Sequence, residues 1–147
     1  MMTVSWRRVL ESLDDAIPIK ASGISRRCAV FSTGISTNWV ETIALPEFER
    51  CGYVAAVPGL RPKQWLRTPA GTGAIVEALA ALHEAAKDKL RADMASHGEA
   101  EFFPENSTSL TYEAQREAMR LGWISVSRPP SPRVSITDAG REALAAL

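Results

Sequence analysis

Two stretches of the chain, 70 residues apart, carry the same landmarks. Glu47, Arg50 and Gly52 of "EFERCGYV" meet Glu117, Arg120 and Gly122 of "EAMRLGWI", and Tyr53 faces Trp123, aromatic for aromatic. Thr68, Ala70 and Gly71 meet Thr137, Ala139 and Gly140 at an offset of 69, so one residue is gained or lost between the two landmarks. Carried backwards, the offset of 70 lays "VSWRRVLESLDD" over "AIVEALAALHEA", each with helical spacing of its apolar residues. Such a repeat limits what the chain can become, because each copy has to be one small assembly of elements near the lower size for a core of its own. The expected units span residues 1–72 and 73–147.

Local signals give each unit helices first and a hairpin last. In unit one, Val4, Trp6, Val9, Leu10 and Leu13 lie close to helical spacing, and Pro18 ends that run. "GISRRCAVF" reads as a short second helix and "STGIS" as the turn after it. Ser36 or Thr37 can cap a third helix that runs to about Cys51 and stops at Gly52. Val40, Ala44 and Phe48 form its buried stripe, whereas Asn38, Glu41 and Thr42 lie off it. Pro46 predicts a kink or a break. "YVAAV" and "QWLRT" then bracket the turn-rich "PGLRPK" as a two-stranded hairpin.

Unit two repeats this plan with changes. A helix over about 72–96, rich in Ala, Leu, Glu and Lys, closes unit one and opens unit two. "SHGEAEFFPENSTS" has no periodic stripe and holds Gly98 and Pro104, so a second helix there is short or absent. A capped helix starts near Ser107 to Ser109 and runs to Gly122, with Leu110, Ala114 and Ala118 on its stripe. "WISVS", "RPPSPR" and "RVSIT" give the second hairpin. The fold class is therefore mainly α with small β-hairpins, that is, α+β.

Three helices followed by a hairpin, with a turn between helices two and three, resemble the winged form of helix-turn-helix. "LPEFERCGYV" resembles the end of the recognition helix and the start of the wing in MarR-like and PadR-like bacterial regulators. "RVSITDAGREAL" resembles the exit from the wing in the same families. The chain thus looks like a tandem pair of winged-helix units that share the long helix, and the resemblance covers nearly its whole length.

That resemblance implies double-stranded DNA as partner, with helix three in the major groove and the wing on the backbone or in the minor groove. The candidate contacts in unit one are Arg26 and Arg27 before the turn, Thr37, Asn38 and Thr42 at the start of helix three, and Arg61 and Lys63 at the wing tip. Asn38 is the candidate for a base contact, since its amide can pair bidentately with adenine. In unit two they are Ser107, Thr108, Thr111 and Arg116 on the helix, with Arg128 and Arg133 bracketing the wing. The expected role is a small bacterial or phage transcription regulator in the cytoplasm, acting through a bipartite site or as a homodimer. Neither cofactor nor metal is implied.

Charge argues the other way. The chain has 17 basic and 17 acidic residues, while duplex affinity comes largely from neutralising phosphates. Residues 1–71 carry nine basic and six acidic side chains, 72–108 three and seven, and 109–147 five and four, so both candidate reading heads are mildly basic around an acidic middle. The alternative is a tandem winged-helix module that binds protein, because a fold does not fix a function. An enzyme is not expected: no G-x-x-x-x-G-K-[ST], H-E-x-x-H or G-x-S-x-G occurs, and His83 and His97 have no catalytic neighbours in sequence. Cys28 and Cys51 sit in no metal or disulfide spacing and read as small core residues. The four tryptophans are expected in core or hairpin packing, with Trp39 partly exposed.

Overall fold

A computed structural model describes residues 2–29, 34–106, 110–128 and 130–146. The architecture is α+β, with small antiparallel sheets. The chain divides into two compact units, Met1–Ala78 and Leu79–Leu147, and the boundary falls inside one helix. Among the described residues no helix is long and apolar enough to cross a membrane.

Unit one runs α1 (Val4–Ser12), β1 (Ile19–Lys20), α2 (Ala21–Cys28), a helical segment in three parts, β2 (Val54–Ala56), β3 (Gln64–Arg67) and the start of α5 (Pro69–His97). The three parts are α3 (Thr37–Trp39), a π-helical turn (Val40–Ala44) and α4 (Leu45–Arg50). The sheet order is β1-β3-β2, with Ile19 and Ala56 both opposite Trp65. β1 is the element that apolar spacing missed, since two residues are too few to show alternation. Around the sheet, Leu10, Ile24, Val40, Leu45, Phe48 and Trp65 form one buried cluster with the alanines of the helices. Trp6 meets Trp39 and Phe48 edge-on at 5.1 and 5.4 Å, so Trp39 is half-buried.

Pro46 produces the expected irregularity in an unexpected form. Proline has no N–H to give the carbonyl four residues back, and its ring crowds that carbonyl. The chain answers by widening the preceding turn: the Leu45 N–H bonds to the Val40 carbonyl, five residues back, and Pro46 falls in the first turn of α4, where a missing donor costs least. The stripe Val40, Ala44 and Phe48 remains buried through the change. Arg67 of β3 closes the far end of α1, donating from Nη1 to the carbonyls of Leu10, Glu11 and Leu13 at 3.2, 3.3 and 2.9 Å. A helix terminus leaves such carbonyls short of partners, and here that of Leu10 is also met by a backbone donor, the Leu13 N–H at 3.4 Å.

One joint is built twice. α4 ends at Gly52 with φ +78°, where the Tyr53 N–H reaches back to the Phe48 carbonyl at 2.8 Å and the Gly52 N–H to Glu49 at 3.0 Å. This is the left-handed cap that glycine supplies without steric cost. Thr68, at the exit of β3, donates from Oγ1 to the Gly52 carbonyl at 2.6 Å and accepts from the Gly71 N–H at 3.1 Å. Its own N–H donates to the Tyr53 carbonyl at 3.0 Å. In unit two, Gly122, Trp123, Thr137 and Gly140 repeat every one of these bonds, with Gly122 at φ +76°. The threonine at once caps the outgoing helix and ties it to the end of the incoming one, so α5 begins at Pro69, earlier than apolar periodicity suggests.

Unit two continues from α5 into α6 (Leu110–Arg120), β4 (Ile124–Val126), β5 (Val134–Ile136) and α7 (Asp138–Ala145). Residues 98–106 contain no helix. Instead Phe102 pairs with Val134 through both backbone bonds, at 3.0 and 2.8 Å, in the place that β1 holds on β3 in unit one. Lys89 anchors this segment: its Nζ lies 2.8 Å from both Asp93 oxygens and 2.9 Å from Glu105 Oε1. Burial alone would lower the Lys89 pKa, but the bonds to Asp93 and Glu105 outweigh it and hold the ammonium above its ordinary value. Phe102 is buried under His97, whose ring stacks on it at 4.4 Å. Leu144 is half-buried against the core of this unit, and Leu147 lies outside the described residues.

Cys28 is buried as expected, and burial pushes its thiol pKa up. Cys51 is exposed, contrary to the core assignment, because it follows the last residue of α4 where the chain is already turning at Gly52.

A methyl group at Gly71 or Gly140 would stand 2.2 Å from the Tyr53 or Trp123 carbonyl oxygen, whereas one at Gly73 meets nothing within 4 Å. Gly71→Ala is therefore expected to destabilise the protein by about 1–3 kcal/mol, and Gly73→Ala, on the same helix, to stabilise it by about 0.5–1 kcal/mol. Denaturant unfolding of the two variants checks both signs.

Candidate nucleic-acid interface

The exposed side of the helical segment in unit one follows from its buried side. With Val40, Ala44, Leu45 and Phe48 in the core, Thr37, Asn38, Glu41, Thr42 and Glu49 face solvent. Ser36 caps the segment, its Oγ accepting from the Trp39 N–H at 3.1 Å. Thr37 is thereby left out of the cap. Thr42 donates from Oγ1 to the Asn38 main-chain carbonyl at 2.6 Å, and among the described residues the Asn38 side-chain amide has no hydrogen-bond partner.

Beside this side of the segment lies an open cleft of about 420 Å³. Thr37, Glu41 and Glu49 line it from the helix, and Lys20, Lys63 and Trp65 line it from the sheet and hairpin. Of the residues proposed from sequence, the cleft brings together Thr37 and Lys63. Lys63 Nζ lies 5.7 Å from the centre of the Trp65 ring. Asn38, Thr42 and Arg61 are exposed without lining the cleft. Arg26 and Arg27 sit in the last turn of α2, while the cleft borders the first residues of that helix, Ala21 and Ser22. Arg27 is also partly committed, donating to the Ser12 carbonyl at 2.8 Å.

In unit two, Thr111 and Arg116 are exposed on α6, and Arg128 is exposed at the hairpin. The Arg116 guanidinium lies 5.8 Å from the Tyr112 ring centre. Arg133 is half-buried, with its guanidinium 3.9 Å above the ring of Phe103, itself 69% exposed. The Glu105 N–H donates to Gln115 Oε1 at 2.9 Å, so the chain near Phe103 runs against α6. Ser107 and Thr108 lie outside the described residues.

Sequence reasoning overlooked Lys20, Glu49 and Phe103 as surface groups of these faces. Glu49 was within reach, since it continues the row of Thr37 and Glu41 at helical spacing. Lys20 and Phe103 were not, because both depend on short strand pairings to β3 and β5. The repeated Glu47 and Arg50 are spent on each other: Arg50 Nε donates to Glu47 Oε2 at 2.9 Å, and this bond draws the Glu47 pKa below the usual carboxylate range. Arg120 and Glu117 make the same pair. His83 packs at 5.4 Å against Trp123, and among the described residues no group of three His, Cys, Asp or Glu side chains is placed to hold a metal ion.

No protein-family model, curated protein or solved structure matches the chain.

Capping and recognition separate at the start of α3. Ser36→Ala is expected to cost about 1 kcal/mol of stability through the lost cap, whereas Thr37→Ala stays within about 0.5 kcal/mol of the parent, as a surface substitution does. Thermal unfolding of both variants checks this, and leaves Thr37→Ala clean for binding assays.

Proposed function

We propose that the protein is a DNA-binding protein, a small cytoplasmic transcription regulator built from two winged helix-turn-helix units that share α5. The observation that carries the proposal is that each unit turns polar side chains outward from a helical segment that precedes a hairpin: Thr37, Asn38 and Thr42 in unit one, Thr111 and Arg116 in unit two. Helix, short strand, helix, helical segment and hairpin, with the sheet in the order β1-β3-β2, is the arrangement in which a winged helix presents such side chains beside a hairpin. Unit two keeps the second half of that plan, α6 and its hairpin, and replaces the second helix by the Phe102 pairing.

The balanced net charge is less of an obstacle than it looks. Ion pairs such as Glu11 with Arg7, Glu84 with Lys87 and Asp88 with Arg91 remove acid and base in equal number, so what counts is where the cations without a pair lie. Arg26, Arg61 and Arg128 make no ion pair among the described residues and remain available to phosphates.

A second reading, a module that binds protein, draws on Glu41 and Glu49. Among the described residues neither makes an ion pair, and both stand beside the row of candidate contacts, where a phosphate would be repelled and a basic peptide attracted.

Random-sequence duplex DNA separates the two readings. DNA binding through about four phosphate contacts weakens about a hundredfold between 50 and 200 mM salt. Fluorescence anisotropy across that range is expected to show such a slope. Absence of any binding at the lowest salt, with a protein partner co-purifying, would decide for the second reading.

A further inference from the structure

We infer that the two copies of the repeat have diverged in charge, and that duplex DNA docks on unit two, along α6 and the β4–β5 hairpin, rather than on unit one. This rests on the DNA reading above and assigns it to one half of the chain.

The repeat itself supplies the comparison. The offset of 70 that matches Glu47 to Glu117 carries Glu41, Pro46 and Glu49 onto Thr111, Arg116 and Met119. Strand pairing extends the match: Ile19 opposes Trp65 as Phe102 opposes Val134, so the next pair, Lys20 with Gln64, corresponds to Phe103 with Arg133. In unit one these positions carry two carboxylates and one ammonium. In unit two they carry two guanidiniums, an exposed phenyl ring and no carboxylate. Glu113, the acid of α6 without an ion pair among the described residues, takes the position of Ile43, not that of Glu41 or Glu49.

Net charge alone points the wrong way. Within the compact units, unit one has nine basic and seven acidic side chains, and unit two eight and ten. Pairing does not tip this count, since Lys20, Arg26, Arg61 and Lys63 of unit one also make no ion pair among the described residues, but it shows how the cations without one are placed. Five of the eight basic side chains in unit two are in ion pairs, those of Lys87, Lys89, Arg91, Arg120 and Arg141. The three left over among the described residues are Arg116, Arg128 and Arg133, and all three belong to α6 and its hairpin. Arg133 rests on the Phe103 ring at 3.9 Å, and Arg116 lies 5.8 Å from the Tyr112 ring centre. A ring under a guanidinium fixes its plane and leaves its N–H edge free, which suits bidentate contact with a phosphate. An unpaired cation gains the full attraction of a phosphate without first breaking an internal pair, whereas Lys20 and Lys63 share their cleft with Glu41 and Glu49.

The test uses the full chain and a random-sequence duplex at low salt. Arg116→Ala with Arg133→Ala is expected to weaken binding at least about tenfold and to lower the salt slope by about two, one for each phosphate contact removed. Arg61→Ala with Lys63→Ala is expected to change affinity less than about threefold. Because Arg133 packs on Phe103, Arg116→Ala with Arg128→Ala, both exposed, serves as a second variant that leaves that contact intact. A loss that follows Arg61 and Lys63, or that is equal for both halves, overturns the assignment to unit two while leaving DNA binding in place. A parent protein that binds no duplex at any salt overturns the DNA reading itself.

Discussion

The fold of each half hangs on a threonine that bonds in two directions. Thr68 and Thr137 each cap the helix that leaves a hairpin, and each holds the carbonyl of the glycine that ended the helix before it. The hairpin is thereby clamped at its base, with its strand order and the angle of its exit set by short, directional bonds. The clamp closes only because Gly71 and Gly140 have no side chain: each lies against the carbonyl of the aromatic residue that starts the hairpin. Helical segment, hairpin and outgoing helix are thus fixed to one another within each unit, although the strands are only three or four residues long.

Once the backbone is held this way, the surface beside the hairpin is free to vary. The repeat keeps its Thr, its glycines and its local Glu-Arg pair, and changes nearly everything that would touch a partner. Glu41 and Glu49 against Thr111 and Met119, and Lys20 against Phe103, are differences of charge and polarity at positions that the repeat and the strand pairing match. A chain of zero net charge can carry a local cationic face where its basic and acidic side chains lie on different parts of the surface. Among the described residues of unit two the basic side chains without an ion pair are Arg116, Arg128 and Arg133, all on one helix and hairpin, while Glu101, Glu113 and Glu142 are the acids without one.

Much of the fold was legible because its landmarks are backbone necessities. Gly52 and Gly122 take positive φ, Thr68 and Thr137 cap, and these few requirements recur at fixed spacing whatever the side chains between them. The stripes Val40, Ala44, Phe48 and Ala114, Ala118 were readable for the same reason. β1 and the Phe102 pairing were not, since one or two residues carry no periodicity and their pairing is set by distant strands. Pro46 marked the place of an irregularity but not its form, because a break, a kink and a widened turn all relieve the same clash. At the candidate interface, hydroxyl and amide groups off the stripe were readable as exposed. Arg116, Arg128 and Arg133 were readable as candidates too, but their lack of an ion pair among the described residues was not: local pairs such as Glu47 with Arg50 show in sequence, whereas Lys89 with Glu105 and Arg141 with Glu99 join residues 16 and 42 positions apart. Which arginines are left over is a property of the folded chain.

The central claim is that a helix and hairpin clamped in this way present their outer face to duplex DNA. Mapping amide chemical shifts during titration with a short duplex tests it most directly. The account predicts that the shifts cluster on α6 and the β4–β5 hairpin, around Thr111, Arg116 and Arg133, and leave α1 and α7 unmoved. Shifts that are absent at low salt, or that concentrate on α1 or α7, would contradict it.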